Sequence, residues 1–82
     1  MEITVYTSEG CFYCTQIKEL LKRADLVYDE IRVNNKNRAE FMGKFPTAKG
    51  YPFTIIDETE YPSLIDVAKF LVKEGLVSAK KG

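Results

Sequence analysis

The sequence contains no histidine and only two cysteines, Cys11 and Cys14. A zinc site needs four protein ligands, or three and a water molecule, so zinc could be held only across a dimer or with carboxylates. Twelve acidic and twelve basic side chains balance, which gives no electrostatic reason to expect nucleic acid or a membrane surface as a partner. No apolar run approaches the roughly 20 residues that a membrane span requires.

The length of 82 residues and the 45% apolar content predict one folded domain over residues 1–82. The N-terminus lacks a charged start followed by an apolar segment, so the sequence gives no sign of a secretory signal. We therefore expect a cytoplasmic protein, in which two cysteines are more often cycling than permanently oxidised.

The cysteine pair carries the strongest functional signal. A polar segment, Thr7–Gly10, precedes it and a helical pattern follows it, which places Cys11 at a helix N-terminus, where unpaired N–H groups favour a thiolate. Residues three apart share one helix face, so one thiol can attack a disulfide and the other can resolve the mixed disulfide. We predict Cys11 as the nucleophile and Cys14 as the resolving thiol.

Two alternatives to a redox site remain besides metal: an inert thiol pair, or a structural disulfide. A structural disulfide would close a very short loop and constrain little of the unfolded chain. The electrostatics are also open, because Glu9 would oppose a thiolate on Cys11 while Lys18, one turn beyond Cys14, would favour it.

The pattern of apolar residues predicts four strands and three helices in the order βαβαββα. The first βαβ unit requires parallel pairing and a right-handed crossover, and the closing hairpin makes the sheet mixed. The predicted strands cover residues 2–7, 26–33, 53–56 and 59–61, and the predicted helices cover 11–24, 38–44 and a segment from Ser63 to Gly75.

Finer expectations concern individual side chains. Asn37 and Glu40 have the spacing of a capping box, and Pro46 should end the second helix. In the second strand, one face should consist of Val27, Ile31 and Val33. In the last helix, the inward residues should be Leu64, Val67, Ala68, Leu71 and Val72.

Two segments resemble the glutaredoxins, which have the thioredoxin fold. The first is Cys11-Phe12-Tyr13-Cys14, where the family commonly has proline in place of Phe12. The second is Tyr51-Pro52 before the third strand, with Asp57 ending that strand. The resemblance covers nearly the whole chain. It implies an α/β, thioredoxin-like fold with a four-stranded mixed sheet and three helices, and a cis proline at Pro52 that faces the cysteines.

The chain departs from the family where glutaredoxins hold glutathione. The family's paired glycines fall on Pro62 and Ser63, and its two helix-start acids fall on Ile65 and Asp66. Glu9 stands near a position where many glutaredoxins carry lysine. The small size and these substitutions are similar to the divergent glutaredoxins of bacteriophages.

The resemblance implies a disulfide oxidoreductase that reduces protein or glutathione mixed disulfides, with glutathione as co-substrate and no tightly bound cofactor. Ribonucleotide reductase is a substrate that the family implies, and we expect a monomer. A thioredoxin-type electron donor reduced by a flavoprotein reductase would carry the same cysteines. A non-catalytic binding module could share the fold, but it would not need both Cys11 and Cys14.

The candidate substrate-binding residues surround the cysteines. Exposed aromatic residues beside an attacking thiol suggest a docking patch, although ordinary surface aromatics are the alternative. A cis bond would leave the backbone before Pro52 free to pair with an extended substrate. Basic residues could hold a glutathione carboxylate, but each is more often a solvated charge. The candidates are Phe12, Tyr13, Tyr51, Ser63, Asp66 and Lys44, with Lys49 and Arg38 as further basic residues.

Overall fold

The computed structural model describes residues 1–77, so residues 78–82 of the predicted domain lie outside the described part of the chain. The predicted order βαβαββα is confirmed. The elements are β1 (Ile3–Thr7), α1 (Phe12–Arg23), β2 (Asp29–Arg32), α2 (Arg38–Lys44), β3 (Phe53–Ile56), β4 (Thr59–Tyr61) and α3 (Leu64–Lys73).

One mixed sheet with the strand order β2-β1-β3-β4 organises the molecule. β1 pairs parallel with β2 and antiparallel with β3, and β4 closes a hairpin onto β3. Asp57 and Glu58 form that hairpin turn with φ values of 49° and 70°, the left-handed conformation of a two-residue turn. Since α1 crosses between the parallel strands β1 and β2, its N-terminus lies directly beyond the end of β1.

The core lies on both faces of the sheet because successive strand residues point to opposite sides. On one face α1 and α3 pack against the sheet, and on the other face α2 covers a smaller, mainly aromatic cluster. The first cluster contains Ile3, Val5, Ile17, Leu21, Ala24, Ile56, Val67 and Leu71. The second contains Val33, Phe41, Ala48 and Phe53.

The ends of the helices follow ordinary capping chemistry. At the start of α3 the Ser63 Oγ accepts a hydrogen bond from the Asp66 backbone N–H at 3.3 Å, as an N-cap residue should. At its end Gly75 has a φ of 75°, and the Leu76 N–H donates to the Leu71 carbonyl at 2.9 Å. This is a Schellman ending, which needs a positive φ and confirms the predicted stop at Gly75.

The second strand starts later than predicted, and its apolar face is not uniformly buried. β2 begins only at Asp29, and Val27 is 89% exposed. Leu26 and Tyr28 pack against the α1–α3 cluster instead, while Val33 is buried on the opposite face under α2. The alternation was read correctly, but β2 is an edge strand, so burial on each face depends on which helix reaches it.

Two further expectations need correction. The Asn37 side chain does not cap α2; it accepts from the Asn34 N–H at 2.6 Å and donates to the Arg32 carbonyl at 3.0 Å. Its bonds to the preceding loop replace the capping box because Asn binds local backbone groups readily. Val72 is 38% exposed, whereas Phe70 packs against the core cluster, so the buried stripe of α3 is displaced toward Phe70.

Candidate active site

Cys11 and Cys14 form a disulfide at the N-terminus of α1, with their Cα atoms 5.2 Å apart. Cys11 is the N-cap residue, and its Sγ accepts a hydrogen bond from the Cys14 backbone N–H at 3.1 Å. In the reduced protein the same N–H points at a thiol or thiolate on Cys11. A charged sulfur is the stronger acceptor, so this contact and the helix dipole both favour the thiolate.

The two sulfur-bearing residues differ in accessibility. Cys11 is half-buried, whereas Cys14 is only 3% exposed and lies beside the core face of α1. A macromolecular disulfide can therefore approach Cys11 more easily than Cys14. This difference agrees with the predicted division into a nucleophile and a resolving thiol.

A cleft of about 360 Å³ opens on one side of the disulfide and contains a charged network. Its lining includes both cysteines with Lys18, Glu30 and Arg32. The Thr7 hydroxyl donates to the Glu30 carboxylate at 2.8 Å, and the Lys18 Nζ lies 3.3 Å from the same carboxylate oxygen. The Thr7 hydrogen bond, followed by Lys18, holds the pKa of Glu30 below its ordinary value.

Sequence reasoning placed Lys18 near the cysteines but missed Glu30. The parallel pairing of β1 with β2 brings Glu30 beside Val5 and next to the end of β1. Only this register, which no local pattern specifies, carries Glu30 to the Thr7 hydroxyl.

Glu30→Gln is expected to lower the free energy of unfolding at about pH 7 by roughly 0.2–1 kcal/mol, the range for exposed ion pairs. Gln can still accept from Thr7, so the substitution mainly removes charge. Because the pKa of Glu30 is lower in the folded protein, its charge stabilises the fold at pH values above the unfolded pKa, which is near the ordinary value of 4.5. This contribution is lost as pH falls through the folded pKa. In urea titrations, the difference in unfolding free energy between the wild type and Glu30→Gln should therefore vanish by about pH 2–3.

Glu19→Gln is the matched control, because Glu19 is exposed on α1 and takes no part in the network around Glu30. It should change stability little at either pH. A loss in Glu30→Gln that persisted undiminished at low pH would contradict the role of the Glu30 charge.

A second cleft of about 350 Å³ lies between the start of α1, the loop before β3 and the start of α3. Its lining includes Tyr13, which stands between the cysteines, together with Tyr51, Pro52, Ser63 and Ile65. The Tyr51–Pro52 peptide bond is cis, as expected, and Pro52 is buried. The structure therefore brings Tyr13, Tyr51, Pro52 and Ser63 together in one cleft.

The predicted substrate-binding residues outside the second cleft include Phe12, Asp66 and Lys44. Phe12 and Tyr13 are 69% and 58% exposed and stack edge to face with ring centroids 5.5 Å apart. Asp66 accepts a hydrogen bond from the Ser63 hydroxyl at 2.9 Å, and Lys44 lies 6.0 Å from the centroid of the Phe45 ring. Of the described residues, neither Asp66 nor Lys44 lines either of these two clefts.

Ile65 is a cleft residue that sequence reasoning noted only as a departure from the family. It is 64% exposed at the start of α3 and lines the second cleft. Its exposure was the available signal, since an apolar residue in the first turn of an amphipathic helix, outside the inward stripe, points to solvent.

Two further features concern residues 1–77, the grouping of possible metal ligands and the character of the helices. That segment contains no group of three or more His, Cys, Asp or Glu residues placed to hold a metal ion. None of its helices has the length and apolar character needed to cross a membrane.

Comparison with known proteins agrees with this site. A glutaredoxin family model matches residues 3–59, a segment that runs from β1 through both cysteines and Pro52 to the start of β4. The chain belongs to the glutaredoxin family. This glutaredoxin is 36% identical over 58 residues to Glutaredoxin 1 of Rickettsia felis, a match that covers 67% of this chain and 57% of the relative.

A second relative, Glutaredoxin 1 of Rickettsia prowazekii, is 33% identical over 76 residues, covering 89% of this chain and 79% of the relative. Among solved structures, the solution structure of a glutaredoxin from Brucella melitensis superposes with a TM-score of 0.69 at 27% identity. That superposition covers 92% of this chain and 82% of the other. The thioredoxin-like fold predicted from the sequence is confirmed.

Proposed function

We propose that this glutaredoxin is a thiol–disulfide oxidoreductase that works through a dithiol cycle of Cys11 and Cys14. The observation that supports the proposal is the disulfide between a half-buried Cys11 at a helix N-terminus and a buried Cys14. A structural disulfide would not need one accessible sulfur with a backbone N–H aimed at it.

In the reductive half of the cycle, the Cys11 thiolate attacks one sulfur of a substrate disulfide. A bond forms between Cys11 and that sulfur, and the other substrate sulfur leaves as a thiolate that takes a proton from water. The Cys14 thiolate then attacks the Cys11 sulfur, which forms the Cys11–Cys14 disulfide and releases the second substrate thiol. The substrate gains two electrons and the protein loses two.

Glutathione is the reductant that we propose for the return step. One glutathione thiolate attacks Cys11 and frees Cys14, and a second attacks the glutathione sulfur of the mixed disulfide to release oxidised glutathione. The family membership supports this choice. The resemblance implies protein disulfides as substrates, including that of ribonucleotide reductase. We further propose that the protein acts as a monomer in the cytoplasm.

Glutathione should be held more weakly than in a family member with the paired glycines and both acids. Pro62 offers no backbone N–H and Ile65 offers no charge. Loss of one charge-assisted hydrogen bond costs about 1.5–3 kcal/mol, or one to two decades in affinity. The measurement is the turnover rate across a series of glutathione concentrations, with glutathione reductase regenerating the reduced form. We expect turnover at millimolar glutathione and a rate that does not saturate at lower glutathione concentrations.

Lys36→Ala is the matched control for this series, because Lys36 is exposed in the turn before α2 and lines neither of the two clefts. Its dependence on glutathione should equal that of the wild type. If millimolar glutathione gave no turnover while a thioredoxin reductase reduced the protein briskly, the thioredoxin-type alternative would replace the glutathione-dependent one.

A further inference from the structure

The second cleft has an uncharged lining, although it contains Pro62, Ser63 and Ile65, which stand at positions where the family holds charged glutathione. Among the described residues, the eight that line it include no Asp, Glu, Lys or Arg. Its rim carries two well-exposed side chains, Tyr13 at 58% and Ile65 at 64%, and Phe12 stacks on Tyr13. Exposed apolar surface of this kind, gathered beside one groove, marks a binding site.

The polar groups nearest this cleft are already engaged in the fold. The Ser63 hydroxyl accepts from the Asp66 N–H and donates to the Asp66 carboxylate. Asp66 is thereby tied to the first turn of α3 and does not line the cleft. A ligand ammonium or carboxylate in the cleft would lose water without gaining an ionic partner, which is unfavourable.

The position of the cleft relative to Cys11 and to the start of β3 also suits the binding of a protein segment. Tyr13 follows Cys11 by two residues and lines the cleft, so a chain attached to Cys11 through a mixed disulfide comes within reach of it. The pairing of β3 with β1 begins at Phe53, so Tyr51 precedes this ladder and lines the cleft at its edge. An extended segment placed there can put one side chain between Tyr13 and Ile65.

We propose that this cleft selects the protein substrate: it binds an extended, uncharged segment with an apolar side chain next to the disulfide cysteine, and Ile65 determines that preference. The proposal rests on the proposed oxidoreductase function. It assigns the cleft to the oxidised protein substrate in preference to glutathione, which then enters only as a weakly held reductant.

The test compares three mixed disulfides of thionitrobenzoate in single-turnover reactions with the fully reduced protein. One is formed by a short peptide with leucine beside its cysteine, one by the same peptide with aspartate, and one by glutathione. Attack by Cys11 on the peptide or glutathione sulfur releases coloured thionitrobenzoate as the leaving thiolate. The wild type should react with the leucine peptide about tenfold faster than with the aspartate peptide, the scale expected for one apolar contact.

Ile65→Asp should remove that preference and accelerate the reaction with the glutathione mixed disulfide, because the new carboxylate can pair with the glutathione ammonium. Ile65→Leu should keep the wild-type ranking. Val72→Asp is the matched control, since Val72 is also exposed on α3 but does not line the cleft. Ile65 is exposed, so none of its variants should lose the fold, and urea denaturation of each checks this.

The outcomes separate the two proposals. Release of thionitrobenzoate from no substrate would contradict the oxidoreductase function itself. Release from all three at equal rates, or a leucine preference that survives Ile65→Asp, would overturn the assignment of the cleft and leave the function standing.

Discussion

Cys11→Ser is expected to reduce the rate of disulfide reduction by roughly a thousandfold or more, the scale seen when a nucleophile is removed. Cys14→Ser should react once and stop as a mixed disulfide on Cys11. The reason is positional: Cys11 is accessible at the helix N-terminus and receives the Cys14 N–H at 3.1 Å, whereas Cys14 is 3% exposed.

Mass spectrometry of each variant after treatment with a small disulfide gives the readout. The trapped adduct should be located on Cys11 by peptide mapping, and the wild type under the same conditions should show only the Cys11–Cys14 disulfide. A stable adduct on Cys14 in the Cys11→Ser protein would reverse the assignment of nucleophile and resolving thiol.

Leu71→Ala is expected to lower the free energy of unfolding by about 2–5 kcal/mol, since it opens a cavity in a tightly packed core. Leu71 is fully buried in the cluster that joins α1 and α3 to the sheet. A domain of this size has a total stability of roughly 4–12 kcal/mol, so the variant should be partly unfolded under mild conditions.

Val72→Ala is the control for that change and lies on the same helix one residue later. Because Val72 is 38% exposed, its truncation should cost less than about 1 kcal/mol. Urea denaturation of both oxidised variants measures the difference. Equal losses would mean that the side of α3 facing the core is not the one described.

Leu71 and Val72 show how much of the buried face of a helix hydrophobic periodicity alone can predict. Both are apolar and fall within the wide stripe that a helix can bury, so the sequence predicted both to face inward. Which edge of the stripe is covered depends on the angle at which α3 meets α1 and β4, a property of packing that one helix does not encode. Val27 misled for a related reason: strand alternation defines two faces without telling which neighbour covers each.

Local signals were sufficient where one residue determines the backbone. Gly75, Pro46 and the Asp57-Glu58 turn all ended elements as predicted. The cysteine pair was recognisable because a thiol spacing and a helix start are both local. The clefts beside it were not, since each gathers residues from separate elements, as Glu30 from β2 meets Lys18 from α1.

The two outer strands of the sheet have a consequence for self-association. Within residues 1–77, β2 and β4 each have one neighbouring strand. An unpaired strand edge invites pairing with another chain. Three of the four β2 residues are charged, Asp29, Glu30 and Arg32, and the short β4 strand carries Glu60 in its centre. Charged side chains along an edge strand hinder the addition of another chain, so these two edges are protected against aggregation by strand pairing.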